Sequence, residues 1–283
     1  MSEDLIKIEG GVPAHIASRA ASTELAGLIV TGSGIGRISY KGKQFRIRQP
    51  GQDDVVAPLG APLICVIADA FPRDKRLSKV YYKGDYIPGQ DNPPDCSSAF
   101  GEVPDPWIEN PPAKSCASCA YNVFGSGKGG RGKACKDVKQ LLVLPPNKIQ
   151  TDAMPLLLSV PPASLRHLTS YAKALADAGN IPFWYVRTEV SFAETEHPEL
   201  VFKFAGFLTE EQCKVMDAIR EGDILEDAVS RLSSAPPSAG DEAPDAAQTA
   251  APAAEEAASE APTELHEPED ETSKVEEILK DWG

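Results

Sequence analysis

The sequence predicts an α+β fold in which β-strands predominate, joined to a long acidic tail. Three observations support this prediction. Short apolar or alternating segments, separated by turns rich in Pro and Gly, fill most of residues 25–160, as expected for strands. The first clear helical spacing of apolar residues follows Pro161. From Ser233 the composition changes to Ala, Pro, Glu and Ser, which cannot bury enough apolar surface to fold.

These changes of composition divide the chain into four predicted parts. They are a flexible N-terminal arm (residues 1–24), a folded domain (25–232) with a cysteine-rich loop insertion (84–137), a disordered acidic linker (233–270) and an amphipathic acidic tip (271–283).

The net charge of −14 belongs mainly to the tail. Residues 233–283 hold 14 of the 42 acidic residues and two of the 28 basic ones, a net charge of −12. Residues 1–232 therefore carry a net charge of only −2. The folded domain thus has room for a basic surface, and an acidic pI does not exclude a nucleic-acid partner.

The first predicted strands are residues 28–30 and a hairpin that turns at Lys41–Gly42. The hairpin places Ile38, Tyr40, Phe45 and Ile47 on one face and the charged residues on the other. Residues 31–36 contain three glycines, but their spacing and the alternating strand that follows do not fit a dinucleotide-binding fingerprint.

Cations and aromatic rings are interleaved on the predicted strands. The hairpin carries five basic residues and no acid, and the strand over residues 77–83 places Lys79, Tyr81 and Lys83 on one face. Such a surface can bind phosphates by charge while a base stacks on an aromatic ring. A solvated sheet face or an edge strand protected by lysines is the alternative. The candidate nucleic-acid contacts here are Arg37, Tyr40, Lys41, Lys43, Arg46, Arg48, Lys79, Tyr81 and Lys83.

Four cysteines follow at the spacing C-x19-C-x2-C-x15-C, namely Cys96, Cys116, Cys119 and Cys135. The loop around them is rich in Pro and Gly and has few apolar residues, so burial alone does not explain its order. Four thiolates can close a tetrahedral zinc shell, which returns about 10–16 kcal/mol to folding. The same loop carries Lys128, Arg131 and Lys133 as further candidate contacts on a flexible cationic flap.

Disulfides and a redox C-x-x-C pair are the alternatives for these cysteines. The N-terminus lacks the basic and apolar regions of a secretory signal, so a reducing compartment is expected, where metal binding is commoner. A redox pair would need a strand-to-helix setting, whereas Cys116 and Cys119 lie in a loop. No segment reaches the length of a membrane span, and a cytoplasmic location without membrane contact is expected.

The remaining elements are simpler to predict. A buried central strand covers residues 62–68 with Cys65 in the core, and further strands cover 138–144, 154–160, 183–192 and 200–207. A helix with Leu165, Leu168, Ala172 and Leu175 on one face ends at Gly179. Thr209 to Gln212 forms a capping box, with Leu208 and Cys213 as a hydrophobic staple, and a last helix runs to Leu232.

The last residues break the polar character of the tail. Val275, Ile278, Leu279 and Trp282 fall at i, i+3, i+4 and i+7, which predicts an amphipathic helix flanked by acids. A free helix this short is marginal in water, so the apolar face is expected to bind a partner. A tail that only confers solubility is the alternative.

The cysteine cluster and the acidic tail with an apolar tip resemble the single-stranded DNA-binding proteins of tailed phages, in particular the zinc-containing helix-destabilising proteins of T-even-like phages. The resemblance implies an OB-like barrel core, structural Zn²⁺ on Cys96, Cys116, Cys119 and Cys135, and sequence-tolerant binding of single-stranded DNA in viral replication, recombination or repair. It also implies a tail that recruits replication proteins and competes with DNA, in the cytoplasm of a bacterial host. Two departures are a cysteine, Cys96, where that site uses a histidine, and an N-terminal arm with only Lys7 and Arg19 as basic residues.

A second interpretation is a zinc-ribbon interaction module, or a transcription-regulating module whose tail docks a polymerase. An enzyme is the third. The sequence contains no recognisable nucleophile–base pair or paired-carboxylate motif, and four thiolates would fill the zinc shell. We therefore expect a binding protein rather than an enzyme.

Overall fold

Alternating apolar residues form ten strands, and amphipathic segments form three α-helices, in the residues that the computed structural model describes: 35–50, 52–84 and 94–234. The strands are β1 (Arg37–Ser39), β2 (Arg46–Arg48), β3 (Val55–Val56), β4 (Leu63–Phe71), β5 (Ser78–Tyr81), β6 (Cys96–Ser98), β7 (Lys136–Leu144), β8 (Leu156–Val160), β9 (Val186–Phe192) and β10 (Leu200–Phe207). The helices are α1 (Leu165–Asp177), α2 (Glu210–Glu221) and α3 (Ile224–Ser234). Outside the described residues lie the predicted arm, the predicted strand at 28–30, and the acidic linker and tip with Val275, Ile278, Leu279 and Trp282.

The strands form a strongly curled, mixed half-barrel in the order β10-β9-β4-β7-β8-β1-β2-β3. β1 and β8 are parallel, and the other pairs are antiparallel. The long strand β7 pairs with β5 near its start and with β4 and β8 further along, and β5 in turn pairs with β6. The cysteine-rich loop, which lies between β5 and β7, is therefore attached to the sheet at both ends. The predicted α+β class is confirmed.

Two apolar cores lie on the two faces of the sheet. Along β4 the side chains alternate, so Cys65 and Ile67 join one core while Val66 and Ala68 join the other. The first core contains the inner face of the β1–β2 hairpin and one face of α1. The second contains the buried faces of α2 and α3. Because β4 is buried on both faces, the prediction of a central strand with Cys65 in the core is confirmed.

The helix-start predictions are also confirmed. The Thr209 side chain accepts a hydrogen bond from the Gln212 N–H, and the Gln212 side chain accepts one from the Thr209 N–H. Leu208 and Cys213 both pack in the second core, as a hydrophobic staple requires. These signals are local, so the sequence could specify them without tertiary information.

The hairpin has the predicted faces but a different turn. Ile38, Tyr40, Phe45 and Ile47 are all buried. The first strand of the hairpin ends at Ser39, however, and the second begins at Arg46. A 3-10 turn at Lys41–Lys43 joins them, with Gly42 and Lys43 at positive φ of 61° and 58°. The predicted two-residue turn is therefore wrong, because turn types I′ and II′ need positive φ at their first residue, Lys41, whereas positive φ falls at Gly42 and Lys43.

Several strand boundaries also differ from prediction by a few residues, and two of the differences move aromatic or basic side chains. The strand predicted over 183–192 begins only at Val186, since Phe183–Tyr185 forms a 3-10 turn after Pro182. The Arg220 guanidinium lies over the ring of Trp184 in this turn, 3.8 Å from the centroid of that ring. Trp184 packs in the second core. The strand predicted over 77–83 is limited to Ser78–Tyr81, so Lys83 lies beyond it.

Among the residues described, none of the helices combines the length and the apolar character that crossing a bilayer requires.

Candidate nucleic-acid cleft and cysteine cavity

A small cleft of about 100 Å³ separates the β1–β2 hairpin from β5 and the loop that follows β6. Its polar and aromatic lining includes Arg37, Tyr40, Arg48, Lys79, Tyr82 and Trp107. These residues come from three separate parts of the chain. The curl of the sheet brings them to one surface, whose lining also includes Phe71 and the carboxylate of Asp105.

Strand pairing places two of the cations side by side. Arg37 and Arg48 are directly opposite each other in the β1–β2 ladder, so both side chains lie on the same face of the hairpin. The Nε of Arg48 is 3.1 Å from a carboxylate oxygen of Asp54, just before β3. The acid at Asp54 therefore competes with any anion for Arg48.

Tyr81, the last residue of β5, and Tyr82, which follows the strand, contribute to two different surfaces. Tyr82 lines the cleft, whereas Tyr81 is only 8 % exposed and lines the cysteine cavity described below. Lys79 borders both spaces and forms an ion pair with Asp137. The sequence assigned base stacking to Tyr81, but the structure puts Tyr82 in the cleft, because Tyr81 is buried against the Tyr121 ring of the cysteine loop.

Trp107 forms part of the cleft wall opposite the hairpin. Its side chain is half-buried, and the indole Nε1 is buried with no hydrogen-bond partner among the described residues. Buried indole N–H groups usually find a partner. The sequence pattern gave no indication that Trp107 lines the cleft.

The other predicted cations are spread over different surfaces. Lys43 donates hydrogen bonds to the carbonyls of Ala193 and Thr195, and Lys133 contacts Asp137 at 3.0 Å. Arg46 lies on the same hairpin face as Arg48, two pairs along the ladder, and Lys41 lies on the turn. Four are exposed at the surface away from the cleft lining: Lys41, Lys83, Lys128 and Arg131.

The four cysteines of the predicted zinc site line one small cavity of about 20 Å³. Cys96 begins β6, Cys116 and Cys119 flank a 3-10 turn, and Cys135 precedes β7. The loop backbone holds them in place, since the Cys116 N–H donates to the Glu102 carbonyl and the Cys135 N–H to the Tyr121 carbonyl, each at 2.8 Å. The structure thus brings together four residues that are up to 39 positions apart.

A buried carboxylate and a glycine shape the wall of this loop. Asp105 accepts hydrogen bonds from the Ala99 N–H and the Ser97 hydroxyl, and burial raises the pKa of its carboxyl. Gly101 has a φ of 75°, and a Cβ there would lie 2.2 Å from the Leu77 carbonyl oxygen. Only glycine allows the loop to approach the segment before β5 so closely.

The thiols in the cavity are electrostatically coupled. Burial, reinforced by the other thiol groups, raises the pKa of Cys96 to about 11 and that of Cys135 to about 12. Burial also raises the pKa of Cys116. Converging thiolates repel one another, and a bound dication would reverse that repulsion. The donor set therefore suits a metal that prefers sulfur, such as zinc.

In the portion of the chain described, no group of three or more His, Cys, Asp or Glu residues is arranged so that it could hold a metal ion. The four thiols share one cavity, and coordination would require them to draw together. All six cysteines fall in the described ranges and are free thiols, with Cys65 and Cys213 outside this cavity.

Comparison of the chain with protein-family models, with curated proteins and with solved structures finds no significant match.

Proposed function

We propose that the protein is a sequence-tolerant single-stranded DNA-binding protein with an OB-like core, acting in viral DNA replication or recombination. The observation that supports this proposal best is the cleft in which Arg37 and Arg48 face the rings of Tyr82 and Trp107. Arginines attract the phosphates, and base stacking on aromatic rings contributes about 1–3 kcal/mol per base without reading the sequence.

The size of the cleft favours an extended ligand. At about 100 Å³ it is smaller than the roughly 300–1,000 Å³ of pockets that enclose small molecules. A strand that runs along the sheet surface needs only shallow contacts for its bases and phosphates. The same comparison argues against an enclosed substrate site at this position.

The cysteine cavity would support the cleft through a structural Zn²⁺ held by Cys96, Cys116, Cys119 and Cys135. When bound, such an ion supplies positive charge and a cross-link between β6, the Cys116 turn and β7. Lys79 and the Tyr81–Tyr82 segment separate the cavity from the cleft. Order in the cysteine loop therefore fixes one wall of the DNA-binding surface.

The acidic tail would compete with DNA and recruit replication proteins through its tip. Leu232, near the end of α3, lines the cleft, so the tail leaves the folded domain beside the proposed DNA site. Its net charge of −12 is then tethered close to Arg37 and Arg48. A tethered polyanion can occupy a cationic surface without high affinity, because its local concentration is high.

Titration of the full chain with oligo-dT tests the DNA-binding proposal through tryptophan fluorescence. The chain has three tryptophans, and Trp107 lies in the cleft whereas Trp184 packs in the second core. We expect oligo-dT to quench fluorescence in the wild type and in Trp184→Phe, and to quench it much less in Trp107→Phe. Absence of oligo-dT binding at low salt would end the proposal.

A zinc-ribbon interaction module is the second candidate. Val123 and Phe124, in the cysteine loop, are 58 % and 73 % exposed, which is more typical of a protein contact than of a solvated loop. Preference for a protein or for duplex DNA over oligo-dT in a competition experiment would favour this candidate.

A further inference from the structure

An open apolar groove of about 680 Å³ runs between α1 and β10, away from the cleft and the cysteine cavity. Tyr171, Ala174 and Leu175 of α1 form one wall, and Val201, Phe204 and Phe207 of β10 form the other. Within the described residues, β10 is the last strand on its side of the sheet. The groove is therefore bounded by a helix on one side and by an edge strand on the other.

The aromatic residues of this groove are unusually exposed. Phe204 is 47 % and Phe207 is 61 % exposed, and their rings make an edge contact with centroids 4.9 Å apart. Two adjacent exposed phenylalanines beside an apolar trough form a patch of the kind that commonly marks a binding surface.

The charge of the groove restricts what can bind there. Lys203 and His167 lie at its edge, and no carboxylate belongs to the set of described residues that line it. The Lys203 Nζ is 3.9 Å from Glu189, at the limit of an ion pair, and its side chain is 65 % exposed. An amphipathic segment with acidic residues beside its apolar face would match this arrangement.

We propose that the groove binds the C-terminal tip of the same chain, residues 271–283. The tip places Val275, Ile278, Leu279 and Trp282 at the i, i+3, i+4 and i+7 spacing of an amphipathic helix bound in a groove. Three acids, Glu276, Glu277 and Asp281, flank this apolar set and complement Lys203. The inference does not depend on whether the cleft binds DNA.

The linker is long enough for this contact. Residues 235–274 comprise 40 positions between the end of α3 and the apolar tip. A flexible chain of that length has a root-mean-square span of about 35 Å. The five strand spacings from β1, beside the cleft, to β10 amount to about 24 Å across the sheet. The tip can therefore reach the groove while its linker starts beside the cleft.

Docking in the groove would control the availability of the tip. A tethered segment experiences an effective concentration of about a millimolar, so even a weak contact keeps it largely bound. A partner protein that recognises the same apolar face must then displace the tip from α1 and β10. The tip would thus stay bound in the groove until a competing partner displaces it.

Fluorine NMR of the full chain labelled with 5-fluorotryptophan tests this inference. Trp282 is one of three tryptophans, so its resonance can be assigned with Trp282→Phe. We expect the Trp282 resonance to differ from that of a synthetic peptide of residues 271–283, independently of protein concentration. In Phe207→Ser it should shift to the peptide position, because the groove loses its most exposed ring.

Phe124→Ser is the matched control, since Phe124 is similarly exposed but lies in the cysteine loop. It should leave the Trp282 resonance unchanged. The Trp184 resonance reports whether each variant is folded, and Lys203→Glu gives a second groove variant if Phe207→Ser is not. A Trp282 resonance at the peptide position in the wild type would overturn the inference. A Trp282 resonance that does not move in folded groove variants would also overturn it. So would a shift of this resonance that grows with protein concentration, because that result would assign the groove to the tail of a second copy.

Discussion

The rings of Tyr81 and Tyr121 are stacked, with centroids 4.3 Å apart and planes inclined by 14°. Tyr81 belongs to β5 and Tyr121 to the cysteine loop, so the stack joins the sheet to that loop. Burial and the contact with Tyr121 raise the pKa of Tyr81 to about 12. The adjacent Tyr82, just beyond the end of β5, lines the cleft instead.

This arrangement predicts that two neighbouring substitutions affect different properties, one the stability of the fold and the other the affinity for DNA. Tyr81→Ala should destabilise the fold by about 3 kcal/mol, because it removes a buried ring beside the cysteine cavity. Tyr82→Ala should leave the free energy of unfolding nearly unchanged but weaken oligo-dT binding by roughly 5- to 150-fold, the loss expected for one stacked base. Thermal unfolding and fluorescence anisotropy measure the two effects.

Tyr82→Phe is the control, since it retains the ring and should retain most of the affinity. Equal losses of DNA affinity in Tyr81→Ala and Tyr82→Ala, at temperatures where both are folded, would contradict the assignment of Tyr82 to the cleft.

The ion pair between Arg48 and Asp54 predicts that neutralising either residue changes the affinity for oligo-dT, in opposite directions. Arg48→Gln should lower oligo-dT affinity and reduce the slope of log K against log salt by about 0.7, the value for one phosphate contact. Asp54→Asn should raise the affinity, because it removes a carboxylate that pairs with Arg48. Both slopes come from titrations at several salt concentrations.

Lys214→Gln is the matched control for these charge variants. Lys214 is exposed on α2, where it pairs with Glu210, and does not line the cleft. Its loss should change neither the affinity nor the slope by more than a small non-specific amount. The same change in Lys214→Gln as in Arg48→Gln would mean that overall charge, not the cleft, binds DNA.

The cysteine cavity predicts one bound Zn²⁺ per chain, with an affinity that rises with pH. The pKa values of Cys96 and Cys135 are about 11 and 12, so these thiols are protonated at neutral pH and must lose their protons to bind the metal. Competition with a colorimetric chelator between pH 6 and pH 8 measures the number of protons released.

Cys96→Ser should abolish stoichiometric zinc and lower the melting temperature. Cys213→Ser should retain stoichiometric zinc, because Cys213 lies on α2 outside the cavity. If purified, reduced protein has no zinc and takes none up, the metal proposal is wrong.

The ion pairs of Asp137 predict a loss of stability in acid. Burial raises the pKa of this carboxyl, but the hydrogen bonds and charges of Lys79 and Lys133 outweigh burial and leave it below its usual value. In the unfolded chain the Asp137 carboxyl has a pKa of about 3.9. At pH values between the folded and the unfolded pKa, the unfolded chain therefore binds more protons than the folded chain. The stability that the Asp137 ion pairs contribute is therefore complete above the unfolded pKa and is lost as the pH falls through the folded pKa.

Asp137→Asn should accordingly cost about 2 kcal/mol at pH 7, where two lysines lose a charged hydrogen-bond partner. The difference in free energy of unfolding between wild type and variant should shrink as the pH falls below about 4. Urea denaturation at several pH values gives this difference, and a constant difference down to pH 2 would contradict the account.

Removal of residues 235–283 tests the acidic tail. The truncated protein should bind oligo-dT more tightly and with a flatter response to salt, because a tethered competitor has been removed. A chain in which the tail acids are replaced by Asn and Gln is the matched control for length. Unchanged affinity in both would leave partner recruitment as the only proposed role of the tail.

Local patterns were sufficient to predict most elements of the sheet and helices. The alternation from Ile38 to Ile47 and the capping box at Thr209 depend on neighbours within a few residues, and both predictions are confirmed. The hairpin turn and the start of β9 were mispredicted. The turn depends on which residues take positive φ, and the start of β9 depends on the packing of Trp184 against distant parts of the chain.

The candidate site was predicted less completely for the same reason. The spacing of the four cysteines indicated that they belong together, and they do line one cavity. The sequence missed Tyr82 and Trp107 as partners of Arg37. A strand pattern shows which residues share a face, but not which loop lies opposite that face.

The sequence by itself determined the strand and helix periodicities, the cysteine set, and the separation of a near-neutral domain from an acidic tail, because each follows from the order and spacing of residues along the chain. Only the tertiary structure decided that Tyr82 rather than Tyr81 lines the cleft, that Trp107 joins it, and that α1 and β10 leave an apolar groove between them. These features arise where the curled sheet brings distant segments into contact, and contacts of that kind depend on packing rather than on local periodicity.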